Sequence, residues 1–179
     1  MRKLLFSIIT FFLMLLNLNA QKNNYILAGI RLQKTHKLYY ENGFSLDYSN
    51  QHILSKKLHF EFNYVTSRLG SAINSNALKQ DNYLLSFSYL FRNEKLVCPV
   101  VQLNTGYFYS DMEEEMFESI PHTSFLFSLE TGIFLNFNCR VKAKTTIGYN
   151  FITGDGITGP GTLFPLFYEL SIYYQFNIK

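Results

Sequence analysis

Apolar and polar residues alternate along most of this chain, and the alternation is most regular near the C terminus. Over eleven positions, one set of alternate residues is apolar and the other mainly polar: Tyr168, Leu170, Ile172, Tyr174, Phe176 and Ile178 against Glu169, Ser171, Tyr173, Gln175 and Asn177. A period of two is typical of a β-strand with one apolar face, because successive side chains point to opposite sides. The segment is therefore predicted to be a strand.

The same period recurs in seven segments upstream, and no helical period competes with it. The eight predicted strands run about six to eleven residues. Most are longer than the usual globular strand, and the longest match the length of a tilted strand that crosses a membrane. The seven segments are Ile26–Gln33, Gly43–Tyr48, Lys57–Tyr64, Tyr83–Phe91, Val101–Tyr109, Phe125–Leu135 and Val141–Phe151.

The connectors between these segments differ in length from one side to the other. Long ones follow the third, fifth and seventh strands, at 69–82, 111–123 and 152–165, and short turns follow the fourth and sixth, at 93–95 and 136–138. The first pair departs from this rule, since the turn at 34–37 is short and the one near 50–52 is long. Long outer loops and short inner turns are typical of outer-membrane barrels. The predicted fold is all-β, an eight-stranded antiparallel up-and-down transmembrane β-barrel over residues 21–179.

The first twenty residues show a different pattern, that of a secretory signal peptide. Arg2 and Lys3 precede an apolar run over 4–16, and the sequence turns polar before Ala20, after which cleavage is expected. The run is too short for a transmembrane helix. We therefore expect Sec-type export, residues 1–20 as a cleaved signal peptide, and periplasmic termini of a barrel in the cell outer membrane.

Composition narrows the class of protein without naming its activity. Hydrophobic residues make up 47% of the chain, charged residues only 16% and aromatic residues 17%, which excludes intrinsic disorder. The net charge of +3 is too small to indicate nucleic-acid binding. Two cysteines exclude a disulfide-rich scaffold or a four-cysteine zinc site, they are expected to remain unpaired, and no cofactor is indicated. Six tyrosines near predicted strand ends are typical of an interfacial girdle: Tyr48, Tyr64, Tyr83, Tyr109, Tyr149 and Tyr168.

Three features of the chain together resemble a known group of membrane proteins. They are the signal ending Asn19-Ala20-Gln21, the eight alternating segments and the aromatic last strand. The chain is similar to the small eight-stranded outer-membrane barrels of Gram-negative bacteria, of the type common in Bacteroidota and of the size of OmpX and the OmpA membrane domain. The resemblance implies assembly by the barrel-assembly machinery, which reads a terminal aromatic residue. Here Phe176 is followed by three more residues, which departs from that pattern.

The inward parity of the predicted strands carries charges of both signs. In a barrel of this size the interior is just filled by side chains, and buried charges must be paired. We therefore interpret these residues as a paired polar network that closes the barrel, with a narrow conduction path as the alternative. They are Arg31, Asp47, Glu61, Glu130, Lys142, Lys144 and Glu169, together with Lys57.

One candidate for catalysis lies near the start of the sixth strand. His122 and Ser124 with Glu130 could form a hydrolase triad, and the His-x-Ser pair resembles that of lipid A deacylases of the PagL type. Phe125 stands where that family has an asparagine, and Ser124 and Glu130 would lie about 20 Å apart along an extended strand. The chain is therefore interpreted as non-enzymatic, with the deacylase as an alternative.

Two loop segments are weaker candidates for binding. Acidic residues cluster in the connector after the fifth strand, where carboxylates could hold a divalent cation: Asp111, Glu113, Glu114 and Glu115, with Glu118 beyond them. The segment 154–161 is rich in glycine and lacks the strand-to-helix context of a phosphate loop.

The favoured function is that of a non-enzymatic, porin-like outer-membrane barrel with a filled interior. It would act through its extracellular loops in envelope integrity, adhesion or ligand binding. Expected partners are outer-membrane lipids and lipopolysaccharide, with no nucleic acid, and a monomer is expected. A soluble secreted carrier of the lipocalin type remains the second alternative, since its strands also alternate.

Overall fold

The computed structural model describes residues 24–35, 40–49, 57–69, 78–112, 122–152 and 165–178. They form β1 (Asn24–Thr35), β2 (Tyr40–Ser49), β3 (Leu58–Leu69), β4 (Leu78–Leu90), β5 (Val97–Met112), β6 (Thr123–Leu135), β7 (Val141–Ile152) and β8 (Leu166–Ile178). Each strand pairs with the next, and β8 pairs with β1, so the sheet is a closed barrel. All pairs are antiparallel. The predicted eight-stranded antiparallel barrel is confirmed.

The barrel has two different ends. The strand ends near residues 24, 49, 58 and 178 lie at the same end of the barrel as the turns 91–96 and 136–140, and we call this the termini end. The strand ends near residues 35, 40, 69, 78, 112, 123, 152 and 166 lie at the opposite end, which we call the loop end. Within the described ranges, no helix is long and apolar enough to cross a membrane.

The register of the strands sets how narrow the barrel is. Following directly paired residues once around the sheet from Tyr25 leads back to β1 at Thr35, a shift of ten positions from 25 to 35. A stagger of ten over eight strands corresponds to a strand tilt of about 41° at normal strand spacing. A barrel of this size has just enough room inside for side chains.

Successive residues of each strand alternate between the interior and the outer surface. In β6, Leu126, Ser128 and Glu130 are buried while Phe125 and Leu129 are exposed. Large apolar side chains on the outer surface are exposed on all eight strands, among them Ile30, Leu46, Phe62, Leu85, Leu103, Leu129, Ile147 and Leu170. The barrel therefore has an apolar outer wall.

The interior is layered along the barrel axis. Near the termini end lies an apolar cluster of Leu27, Leu90, Cys98, Val100, Phe134 and Tyr173. Nearer the loop end a smaller one contains Leu84, Phe108 and Leu126. Charged and polar side chains fill the space between these two layers.

Two inward-facing glycines make room for aromatic rings of β8. A Cβ on Gly148 would lie 2.2 Å from the ring of Phe167, its cross-strand partner, and a Cβ on Gly29 would lie 2.8 Å from the ring of Tyr173. Real side chains do not approach this closely, so only glycine lets these rings lie against the wall.

Several strand boundaries differ from the predicted ones, most clearly those of β3, β4 and β5. β3 continues to Leu69 and β4 begins at Leu78, although 69–82 was expected to be a loop. β5 begins at Val97 and ends at Met112, so it takes in Asp111 from the expected acidic loop. Alternation fades in these stretches because they lie beyond the apolar belt, but backbone pairing with the neighbouring strand continues.

Candidate functional site

The centre of the interior is bridged from wall to wall by Lys144. Its Nζ on β7 donates to both carboxylate oxygens of Glu61 on β3, each at 2.8 Å, and to Gln102 Oε1 at 2.6 Å. It also lies 3.4 Å from Glu169 Oε1. Because β3 and β7 are four strands apart in a ring of eight, this ion pair spans the full width of the lumen.

Arg31 on β1 forms the second cationic centre. Its Nη2 lies 3.1 Å from Glu130 Oε1 on β6 and 2.8 Å from Gln33 Oε1, while its Nη1 lies 3.2 Å from Glu169 Oε2 on β8. The side chains of Arg31, Glu130 and Glu169 are all at most 1% exposed. A buried guanidinium is stabilised only by such pairing, because water does not solvate it.

Neutral donors complete the coordination of the carboxylates. Thr146 Oγ1 lies 2.5 Å from Glu130 Oε2 and 3.2 Å from Glu169 Oε2, and Ser171 Oγ donates to Glu169 Oε1 at 2.6 Å. Asn104 donates to Glu130. Four contacts with neutral side chains and two with Arg31 thus hold these two acids in place.

Besides Gln33 and Tyr173, five residues of this central network lie outside the set of charged positions that the sequence predicts. They carry no formal charge, but they occupy the inward parity of their strands, and that parity is the signal that could have found them. They are Asn63, Gln102, Asn104, Thr146 and Ser171.

A separate pair lies closer to the termini end. His59 Nδ1 is 2.7 Å from Asp47 Oδ2, and both side chains are buried. The His59 ring is 5.9 Å from the ring of Phe134, which belongs to the apolar cluster at this end. Asp47 therefore pairs with a histidine and not with a lysine or arginine. His59 is not among the eight charged residues predicted to form the network.

Two lysines expected in the network lie elsewhere. Lys142 is inward and buried, but its Nζ donates to the backbone oxygen of Phe137 at 2.6 Å in the β6–β7 turn. Lys57 is half-buried in the turn before β3. Both occupy inward-facing positions in the alternation, as predicted. Both lie near the termini end, however, and are too far along the barrel axis to reach the central carboxylates.

The outer surface carries rows of aromatic side chains. Phe44, Tyr64, Tyr83, Tyr107 and Phe125 are successive cross-strand partners on five neighbouring strands. The Phe44 and Tyr64 rings are 5.8 Å apart and the Tyr64 and Tyr83 rings 5.3 Å apart. This continuous row lies in the half of the barrel nearer the loop end, and Tyr109, Tyr149 and Tyr168 are exposed on the same side of the belt.

The residues of the hydrolase hypothesis do not form a triad. His122 is exposed, and its Nδ1 lies 3.2 Å from the backbone oxygen of Ser110. Ser124 is inward and its hydroxyl lies 3.3 Å from the backbone oxygen of Phe125. Glu130 is held in the central network by Arg31. The contacts described for each of these three side chains are therefore with groups outside the proposed triad.

The acidic cluster is only partly described. Asp111 is exposed on β5 and is the direct cross-strand partner of Lys79. Glu113, Glu114 and Glu115 lie outside the described residues, as do Glu118 and the glycine-rich segment 154–161. Among the described residues, no group of three or more histidine, cysteine or carboxylate side chains could hold a metal ion.

The two cysteines are free thiols in different surroundings. Cys98 is buried on β5, and its Sγ lies 3.0 Å from the backbone oxygen of Lys95. Cys139 is exposed in the β6–β7 turn.

No protein-family model matches the chain, and no curated protein matches it in sequence. Solved structures do match. The chain is similar to neisserial surface protein A, at 18% identity over 87% of this chain and 97% of that one, with a TM-score of 0.57. The N-terminal β-barrel domain of Pseudomonas aeruginosa OprF matches at 10% identity, over 87% and 98%, with a TM-score of 0.60.

The outer membrane protein OprG of Pseudomonas aeruginosa matches at 12% identity, over 87% of this chain and 96% of that one, with a TM-score of 0.51. The fold is that of a small outer-membrane β-barrel. At 10–18% identity this likeness shows the fold alone.

Proposed function

We propose that this chain is a non-enzymatic integral outer-membrane protein whose interior is sealed. It acts through its extracellular loops in envelope integrity, adhesion or ligand binding. The proposal is supported most directly by the way the two faces of the barrel are distributed: apolar and aromatic side chains outside, a charged and hydrogen-bonded network inside.

This distribution is the reverse of what a soluble carrier needs. A carrier of the lipocalin type keeps an apolar cavity inside and a polar surface outside. Here Leu85 is 53% exposed at the middle of β4, while the neighbouring inward positions on the same strand are buried. Soluble proteins rarely expose a continuous apolar belt of this kind, whereas lipid tails solvate it. Backbone groups of a closed sheet are also satisfied without water.

The interior supports a structural role in preference to transport. The Lys144–Glu61 pair crosses the lumen at its centre, and the apolar cluster around Phe134 and Tyr173 fills it near the termini end. An ion would have to displace both layers to pass. With the barrel wall as a scaffold, the loops are what remains for contact with other molecules, which is where binding residues are commonly found on rigid frameworks.

The predicted signal peptide and the lengths of the connectors in the sequence support export and periplasmic termini. On that orientation the loop end faces outward, toward lipopolysaccharide, and the chain is inserted by the barrel-assembly machinery. Four connectors then face the outside, of which the one at 113–122 is the most acidic in sequence.

The test combines insertion and conductance. Purified chain is folded into phosphatidylcholine vesicles, and insertion is scored by a heat-dependent shift in gel mobility and by protection from protease. The same protein is then added to planar bilayers. We expect a heat-dependent shift and no stable conductance. Folding in buffer without detergent or lipid would overturn the membrane assignment, and stable large conductance would overturn the sealed interior.

A loop role is tested in a deletion strain of the source bacterium. The strain is complemented with the wild type or with variants in which 70–77, 113–121 or 153–164 are replaced by short glycine-serine linkers. We expect the shortened variants to insert normally but not to restore growth under envelope stress or attachment to surfaces. Full rescue by a barrel with all three segments shortened would show that the barrel wall alone is sufficient.

A further inference from the structure

The termini end carries a concentration of positive charge in the described residues. Its turns and adjoining strand ends contain five basic residues, Lys57, Arg92, Lys95, Arg140 and Lys142, and one acidic residue, Glu94. Lys142 is bound to the Phe137 backbone oxygen and Lys57 is half-buried, which leaves three exposed cations in the turns 91–96 and 136–140. We call these three, Arg92, Lys95 and Arg140, the basic rim.

The opposite end has the opposite balance in sequence. Counted in the same way, with two residues of each adjoining strand end, the loop end contains seven acidic and four basic residues: Glu41, Asp111, Glu113, Glu114, Glu115, Glu118 and Asp155 against Lys34, Lys37, Arg68 and Lys79. Charge is therefore separated along the barrel axis, although the whole chain is nearly neutral. A charge separation of this kind favours one orientation and one class of neighbour at each end.

The turns that carry the basic rim are fixed to one another by hydrogen bonds. The backbone nitrogen of Asn136 donates to Leu96 O at 2.8 Å, and its side-chain nitrogen donates to Asn93 O at 3.0 Å. Lys95 N donates to Arg92 O at 3.1 Å within its own turn. The rim is thus a set of charges on a connected backbone platform.

Aromatic side chains place this rim at the edge of the apolar belt. Arg140 Nη1 donates to Tyr174 Oη at 3.2 Å, and Tyr174 is an outward-facing residue of β8. Arg92 directly follows Phe91, which is 53% exposed and whose ring is 5.1 Å from that of Tyr89. Tyrosine at this position is typical of the depth where headgroups lie. Guanidinium groups held there match phosphate, since their planar N–H donors can bind two oxygens at once.

We propose that the basic rim binds the phosphate groups of anionic phospholipids in the leaflet that surrounds the termini end. The inference rests on the proposed membrane insertion and adds to it a preferred lipid class at one end of the barrel. Three cations at the headgroup level attract anionic lipids relative to zwitterionic ones, and the attraction is reduced by salt.

The experiment measures lipid selectivity directly. The full chain is reconstituted in phosphatidylcholine vesicles with spin-labelled phosphatidylglycerol or spin-labelled phosphatidylcholine, and electron spin resonance gives the motionally restricted fraction of each. For the wild type at low salt we expect the barrel to retain phosphatidylglycerol roughly two- to fivefold more strongly. The ratio of phosphatidylglycerol to phosphatidylcholine retention should fall toward one at 1 M salt, where the Debye length is only about 3 Å.

A matched pair of triple variants locates the effect. Arg92→Gln, Lys95→Gln and Arg140→Gln together should remove the preference. The control variant removes the same number of positive charges from the loop end, by Lys34→Gln, Arg68→Gln and Lys79→Gln. It should leave the lipid preference unchanged. Tyr174→Phe, which removes only the hydroxyl that holds Arg140, should reduce the preference in part. It also keeps the test available if the triple variant fails to fold.

Insertion is scored first, by the heat-dependent mobility shift, so failure of the proposed function is seen separately. Equal retention of both lipids by an inserted wild-type barrel would overturn the inference. So would an equal loss of preference in the loop-end variant. Loss of the preference in 20 mM inorganic phosphate at constant ionic strength would show a free-phosphate site. Binding of polyglutamate by a barrel that shows no lipid preference would assign the basic rim to an acidic protein partner. The phosphate result and the polyglutamate result would each contradict the proposal.

Discussion

Lys144 on β7 and Glu61 on β3 stand on opposite walls of the barrel, and the lysine Nζ lies 2.8 Å from each carboxylate oxygen. Both residues are buried. A bond of this length between opposite walls requires the lumen to be narrow at that height. It also ties together strands that are far apart around the sheet, so it resists changes in the shape of the barrel as well as closing it.

Removing one member of this pair should destabilise the barrel strongly. Lys144→Met leaves Glu61 with an uncompensated buried charge, for which a loss of about 3–5 kcal/mol is usual. Urea unfolding in phosphatidylcholine vesicles, followed by tyrosine fluorescence because the chain has no tryptophan, measures the change.

The double variant Lys144→Met/Glu61→Gln should lose less than the sum of the two single variants, because neither charge is left alone. Lys95→Met, at an exposed turn position, is the control and should change the free energy of unfolding by less than about 0.5 kcal/mol. Additive losses in the double variant would mean that the two side chains do not interact.

The faces of the barrel could be predicted from the sequence, but the contacts inside it could not. Alternation is local, so it assigns each residue of β8 to the inner or the outer face without knowledge of the other strands. The partner of Lys144 depends on the stagger of ten positions around the sheet, which no single strand encodes. Lys142 and Lys144 have the same parity, yet one reaches the central carboxylates and the other a turn.

The strand ends were difficult to predict for a related reason. Residues 78–82 read Leu-Lys-Gln-Asp-Asn and lack the apolar alternation, yet they belong to β4 and pair with β3. The apolar signal in a barrel reports contact with lipid or with the interior, whereas a strand continues wherever its neighbour offers hydrogen bonds. Asp111 was placed in a loop for the same reason, although it lies on β5.

The cost of placing a charged side chain on the outer wall should depend on how deep in the bilayer that position lies. Leu85 lies near the middle of β4 and Tyr109 near the loop end of β5, and they are 53% and 57% exposed. In a bilayer, Leu85→Arg should destabilise the barrel by about 2–4 kcal/mol and Tyr109→Arg by about 0–1 kcal/mol. Urea titration of the two variants in the same vesicles tests this. Equal, small effects would show that water, and not lipid, surrounds the belt.

Ser124 should be dispensable for any chemistry on lipid A. Its hydroxyl contacts the Phe125 backbone oxygen, whereas His122 contacts that of Ser110, so these contacts do not pair Ser124 and His122 as nucleophile and base. Mass spectra of lipid A from cells expressing wild type, Ser124→Ala or no protein should show the same acyl pattern. A pattern that changes with the wild type and reverts with Ser124→Ala would establish a hydrolase and reject the non-enzymatic proposal.

The two thiols offer a test of both burial and orientation. Cys139 is exposed in a turn of the termini end and Cys98 is buried in the apolar cluster, and accessible thiols react with maleimides far faster than buried ones. Folded barrel in detergent should take up one equivalent, which the Cys139→Ser variant loses, and denatured wild type should take up two. On intact cells a membrane-impermeant maleimide should not label Cys139, but it should do so once the outer membrane is permeabilised, because the termini end is proposed to face the periplasm. Labelling of intact cells at full rate would place that end outside and reverse the proposed orientation.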